Sequence, residues 1–179
     1  TFAEVDKYSA TFATWIQQNT DLQVGDRIAV QMPNLLQYPI VVFGAMRAGL
    51  VIVNTNPLYT AREMEHQFKD AGCKALVTLA NFGHLVQEVL PRTGIRYVII
   101  SELADMLPFP KRVVVNNIVK YIKKLVPSYH LPTAIPFTQV MKANPSKFKE
   151  VTPKPDDIAV LQYTCLLYTS DAADERSSV

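Results

Sequence analysis

Apolar residues recur at helical spacing from the start of the chain: Val5, Tyr8, Phe12, Trp15 and Ile16 share one face of a helix running to about Gln18. Thr1 and Glu4 ahead of them form a capping box, in which each end of the pair satisfies a free backbone N–H. Gly25-Asp26 reads as a turn and Arg27 to Met32 as a strand closed by Pro33. Asn34 can cap the next segment, but Pro39 predicts that the regular helix starts at Pro39 itself, where a missing N–H costs nothing. Ile40 to Met46 is apolar on every side, which predicts a helix buried between layers. That helix ends at Arg47-Ala48-Gly49, with Gly49 able to take the left-handed conformation.

Leu50 to Val53 is a short apolar run and predicts a buried strand, and Asn54 to Tyr59 leaves it as a loop that Pro57 keeps out of the ladder. Thr60 and Glu63 make a second capping box, with Tyr59 and Met64 at the staple positions around it. Ala61, Met64, Phe68 and Ala71 give the following helix one narrow stripe, stopped by Gly72. Ala75 to Leu79 predicts a strand, Phe82 to Leu90 a helix ended by Pro91, and Tyr97 to Ile100 another strand. Regular alternation of helix and strand predicts an α/β fold, with a largely parallel sheet, right-handed crossovers and helices on both faces.

The texture changes at Ser101. Eight of the twelve prolines follow it and all six glycines precede it. Between Leu107 and Pro155 only Lys111 to Val126 has helical periodicity. Val114, Ile118, Tyr121, Ile122 and Leu125 fall on one side of that helix, with Lys120, Lys123 and Lys124 opposite. Such a face suits a helix lying on an anionic membrane surface; it equally suits a helix docked on its own domain with its lysines in water. Asp157 to Gln162 returns to strand character.

Charge and cysteine content narrow the class. The apolar share of 49% and charged share of 19% are those of a globular protein. Residues 1–100 are neutral, 101–150 carry +5 and 151–179 carry −3, so the basic surface is local and no nucleic-acid partner is expected. Cys73 and Cys165 lie far apart with no metal-ligand spacing, which fits a reducing compartment. No signal peptide and no apolar run of about 18 residues appear, so no spanning segment is expected.

Few residues offer chemistry. Gly44 to Gly49 satisfies GxxxxG, but Leu50 and Val51 follow where a phosphate loop has Lys and Ser or Thr; helix packing and a C-cap explain both glycines. Glu63 and His66 stand three apart on one helix, yet no second copy supports a di-metal site. His84 and His130 have no ligand-spaced partner, and Asp156-Asp157 reads as a solvated turn. The Asn54–Tyr59 loop leaves a strand's carboxyl end, where open sheets bind ligands, but its Asn, Pro and Tyr read first as structural.

The strings GDRIAVQMPN (25–34), FGAMRAGLVIVNTNPLYTAREMEHQ (43–67) and LQYT (161–164) resemble the N-terminal part of the adenylate-forming (AMP-binding) superfamily, and within it bacterial long-chain fatty acyl-CoA synthetases. The resemblance runs from Thr1 to Thr164, and NTNPLYT is its most specific piece. It implies that residues 1–164 are part of an AMP-binding N-terminal domain, with a Pro-rich basic helical insertion at about 101–155. It also implies a parent enzyme that joins a long-chain fatty acid to coenzyme A, using ATP and Mg²⁺ and releasing AMP and diphosphate. Tyr163 and Thr164 match the opening of the family's phosphate loop, whose Gly-rich run is absent from CLLYTSDAADERSSV.

The chain is therefore expected to be a fragment, cut before Thr1, with no catalytic residue or metal ligand of its own and weak affinity for ATP, Mg²⁺ and coenzyme A. Residues 165–179 read either as adaptor-like artefact or as the end of a natural truncated product. Two other functions stay open: another adenylate-forming enzyme acting on aryl or amino acids, and a non-enzymatic module binding membrane or a partner. The expected location is cytoplasmic, with Lys120, Lys123 and Lys124 as candidate contacts to an anionic membrane face.

Overall fold

The computed structural model describes residues 1–163, and six parallel strands in one sheet organise them. The strands are β1 (Arg27–Gln31), β2 (Val51–Asn54), β3 (Cys73–Leu79), β4 (Tyr97–Ser101), β5 (Ile135–Pro136) and β6 (Val160–Gln162). Their order across the sheet is β5-β4-β3-β1-β2-β6, with every neighbouring pair parallel. Alternation along β1 divides the core in two. Ile28 and Val30 point to one face and Ala29 to the other.

The first face is covered by α1 (Phe2–Asn19), α2 (Gln37–Arg47) and α6 (Phe137–Val140). The second is covered by α3 (Ala61–Asp70) and α4 (Gly83–Val89). Helix α5 (Lys111–Asn117) widens into a π-helical turn, Ile118–Ile122, beside the β4–β5 edge.

Both predicted capping boxes form. Glu4 N–H donates to Thr1 Oγ1 at 3.3 Å, and Thr60 N–H donates to Glu63 Oε2 at 2.8 Å. Gly49 (φ +80°) and Gly72 (φ +61°) close α2 and α3 in the left-handed conformation.

Four expectations change. Helix α2 starts at Gln37, so Pro39 is its third residue; its missing N–H still costs no bond, because the first turn's donors have no intrahelical acceptor. α2 is not buried all round: Ile40 and Val41 enter the core, while Phe43 is 52% exposed. The helix expected over 111–126 ends at Ile122, with Lys124 left-handed at φ +50°. The Pro-rich stretch holds a further strand and a further helix, β5 and α6, where one helix alone was expected. Ile135 and Pro136 pair with Ile99 and Ile100, extending the sheet at an edge where proline is tolerated.

Candidate functional site

β1 lies between β2 and β3, so the chain leaves it toward opposite sides of the sheet. Strand orders of this kind open a crevice at the strands' carboxyl ends, where ligands of doubly wound proteins bind. Polar side chains collect there. Thr78 Oγ1 donates to Gln31 Oε1 at 3.0 Å across the β1–β3 pair. Tyr38 Oη donates to Asn54 Oδ1 at 2.9 Å, and Asn54 Nδ2 donates to Gln162 Oε1 at 3.0 Å. Gln67 Nε2 donates to the Asn54 carbonyl at 2.9 Å, while its buried Oε1 has no partner among the described residues. These bonds join α2, β2, α3 and β6 at one edge.

The Asn54–Tyr59 loop crosses this edge. Leu58 N–H donates to Asn56 Oδ1 at 2.9 Å, an Asx turn that holds the loop's bend. Tyr59 is half-buried and Met64 fully buried in one core cluster, as a hydrophobic staple requires. Asn56 and Tyr59 thus hold the loop's shape. Its Pro57 and Leu58 also border an apolar groove of about 480 Å³ with Pro33, Leu79 and Phe82, at the switch in strand order. Tertiary placement alone brings those residues together, and no spacing in the chain announces it.

The candidate residues separate in space. Tyr163 follows the carboxyl end of β6, packs against the α3–α4 side of the core and donates its hydroxyl to Asp70. Thr164 lies outside the described residues. Lys120, Lys123 and Lys124 are exposed far along the chain, with Lys120 Nζ 5.5 Å from the Tyr121 ring centroid. Glu63 is held in its capping box, and among the described residues no three metal-ligating side chains cluster.

ATP and Mg²⁺ are the groups that the resemblance implies for the parent enzyme. The left-handed glycines among the described residues, Gly25, Gly49 and Gly72, all serve turns or helix ends at the opposite edge of the sheet.

Two acids, Asp26 buried and Asp105 half-buried, and a thiol show how the fold treats charge. Burial pushes the Asp105 carboxyl up, against hydrogen bonds from Glu102 N–H, Ser101 and Asn116 and the nearby Arg112 charge. Burial also opposes ionisation of Asp26, but Gln23 N–H, Lys74 and Arg27 hold that carboxyl below its ordinary range. Cys73, 1% exposed, is pushed up to about 12 by burial, so it is an inert core thiol.

The class these features define is a doubly wound parallel α/β domain with its crevice at the β1–β3 carboxyl ends. Residues 1–165 match the family described as AMP-binding enzyme, and the chain belongs to that family. It is 48% identical to the long-chain-fatty-acid–CoA ligase of Escherichia coli O6:H1 over 166 residues, 92% of this chain. It is likewise 48% identical to that of Yersinia pestis over 168 residues, again 92% of this chain. The chain spans 29% of the length of each of these relatives. A crystal structure of a long-chain-fatty-acid-CoA ligase from Archaeoglobus fulgidus shares the fold at a TM-score of 0.69 and 20% identity, covering 92% of this chain and 27% of that one.

Proposed function

We propose that this chain forms the N-terminal part of an ATP-dependent ligase that converts a long-chain fatty acid and coenzyme A to acyl-CoA, with AMP and diphosphate as co-products. The observation that carries the reading is 48% identity to bacterial enzymes of that name across 92% of the chain. Tyr163 and Thr164 open the loop that holds the triphosphate in the complete enzyme, and the Asn54–Gln162 and Tyr163–Asp70 hydrogen bonds anchor its base. The test is a chimera: residues 1–163 replace the matching stretch of the Escherichia coli ligase. Acyl-CoA formation from palmitate is the expected result; a folded chimera that activates an aryl acid and not palmitate would overturn the choice of substrate.

Such an enzyme meets its substrate at a bilayer, and the segment from Lys111 to Leu125 supplies a contact. Val114, Ile118, Tyr121, Ile122 and Leu125 are 38–71% exposed, which favours an apolar stripe turned away from residues 1–163. Lys120, Lys123 and Lys124 lie beside it in solvent. An apolar stripe flanked by lysines suits an anionic lipid surface. Lys120, Lys123 and Lys124 changed together to Glu should abolish sedimentation with anionic vesicles, and unchanged binding would refute the contact.

A further inference from the structure

Beneath α5 lies a cavity of about 570 Å³, over the carboxyl ends of β4 and β5. Its charged lining consists of Glu102, Asp105, Arg112 and Lys120. Asp105 is already committed, accepting from Ser101 Oγ at 3.1 Å, Glu102 N–H at 2.8 Å and Asn116 Nδ2 at 3.4 Å. The other three form no salt bridge among the described residues. Glu102 faces the same space as Arg112 and Lys120 yet stays beyond 4.0 Å of both.

Glu102 and Arg112 are half-buried, Lys120 is exposed, and none of the three lies within salt-bridge distance of an opposite charge among the described residues, which leaves all three open to a ligand that carries both signs. Two cations on one side match a phosphodiester, for which the guanidinium fork is well shaped. One free carboxylate matches an ammonium. Val113 and Tyr121 line the cavity and are also among the exposed apolar residues of this segment, so the opening borders the lysine-flanked stripe.

We infer that this cavity is a headgroup site for a phospholipid bearing a primary ammonium, with its phosphodiester on Arg112 and Lys120 and its ammonium on Glu102. The inference rests on the surface-contact reading and adds headgroup selectivity to it. The lipid glycerol would sit at the cavity mouth, and the acyl chains would lie along Ile118 and Ile122 in the bilayer.

The test uses the 179-residue chain and sedimentation with two vesicle types at equal phosphatidylglycerol content. One has phosphatidylcholine as the remainder; the other has part of it exchanged for phosphatidylethanolamine. Binding should tighten about tenfold on the exchange, the equivalent of one charge-assisted pair. Glu102→Gln and Arg112→Gln, each checked for folding by circular dichroism, should lose that gain and keep the binding to phosphatidylglycerol. Lys123→Glu with Lys124→Glu should weaken binding to both vesicles alike.

No gain on exchange, or a gain that survives in both cavity variants, overturns the headgroup site. Failure to bind either vesicle overturns surface contact instead. The site then stands or falls on titration with soluble glycerophosphoethanolamine: binding lost in Glu102→Gln supports it, and no binding overturns it. Soluble headgroup binding tighter than the vesicle lipid overturns the lipid as its source.

Discussion

Gly44 sits where α1 and α2 touch. A Cβ there would meet Phe12 Cβ and the Ser9 carbonyl oxygen, each at 2.8 Å. Alanine would gain about 1 kcal/mol of helix propensity over glycine. Overpacking costs about 1–3 kcal/mol, and a backbone oxygen cannot rotate aside. Gly44→Ala is therefore expected to lose up to about 2 kcal/mol net, read from the urea midpoint. Asp26 gives a pH signature. Its carboxyl is held low in the folded state, so its stabilisation is present above the unfolded value of about 4 and lost as pH falls through the folded value. Asp26→Asn should cost about 1–2 kcal/mol at neutral pH, and the gap to the parent should close in acid. A gap that widens in acid would refute this account.

Among elements, visibility in the sequence and contribution to stability are separate matters. The stripe of α5 and its π turn was plain from spacing, yet Ile122 is 71% exposed. The four-residue α6 has too few positions to show a period, yet Phe137 and Val140 are both fully buried. Val140→Ala should cost about 1–3 kcal/mol through lost burial and a cavity, whereas Ile122→Ser should stay within about 0.5 kcal/mol. Thermal unfolding of the two variants side by side checks the contrast. Thr60→Ala removes a capping acceptor and should cost about 1 kcal/mol. The capping boxes were legible because all their members lie within four residues. β5 was not, because a two-residue strand ending in proline has no alternation to read.

For the whole molecule, the chain spans 29% of its ligase relatives, and no Gly-rich run follows Tyr163 and Thr164 in its sequence. The 179-residue chain is accordingly expected to form no acyl-CoA from palmitate, ATP and coenzyme A; thioester production above background would overturn that. Much of the fold could be read beforehand. Helical spacing, two capping boxes and strand-length apolar runs yielded α1 to α4 and β1 to β4, because each signal lies within one turn or one strand. The family followed from NTNPLYT and its neighbours. The site was less legible. Asn54 and Gln162 are 108 positions apart and meet only because β6 pairs with β2. Glu102 and Arg112 share a cavity only because α5 folds back over the β4–β5 edge. Local sequence chose the elements, since capping and periodicity act between near neighbours. Strand order, the place of β6, the exposed stripe and the charged cavity came from long-range packing, in which each face of the sheet must find a cover.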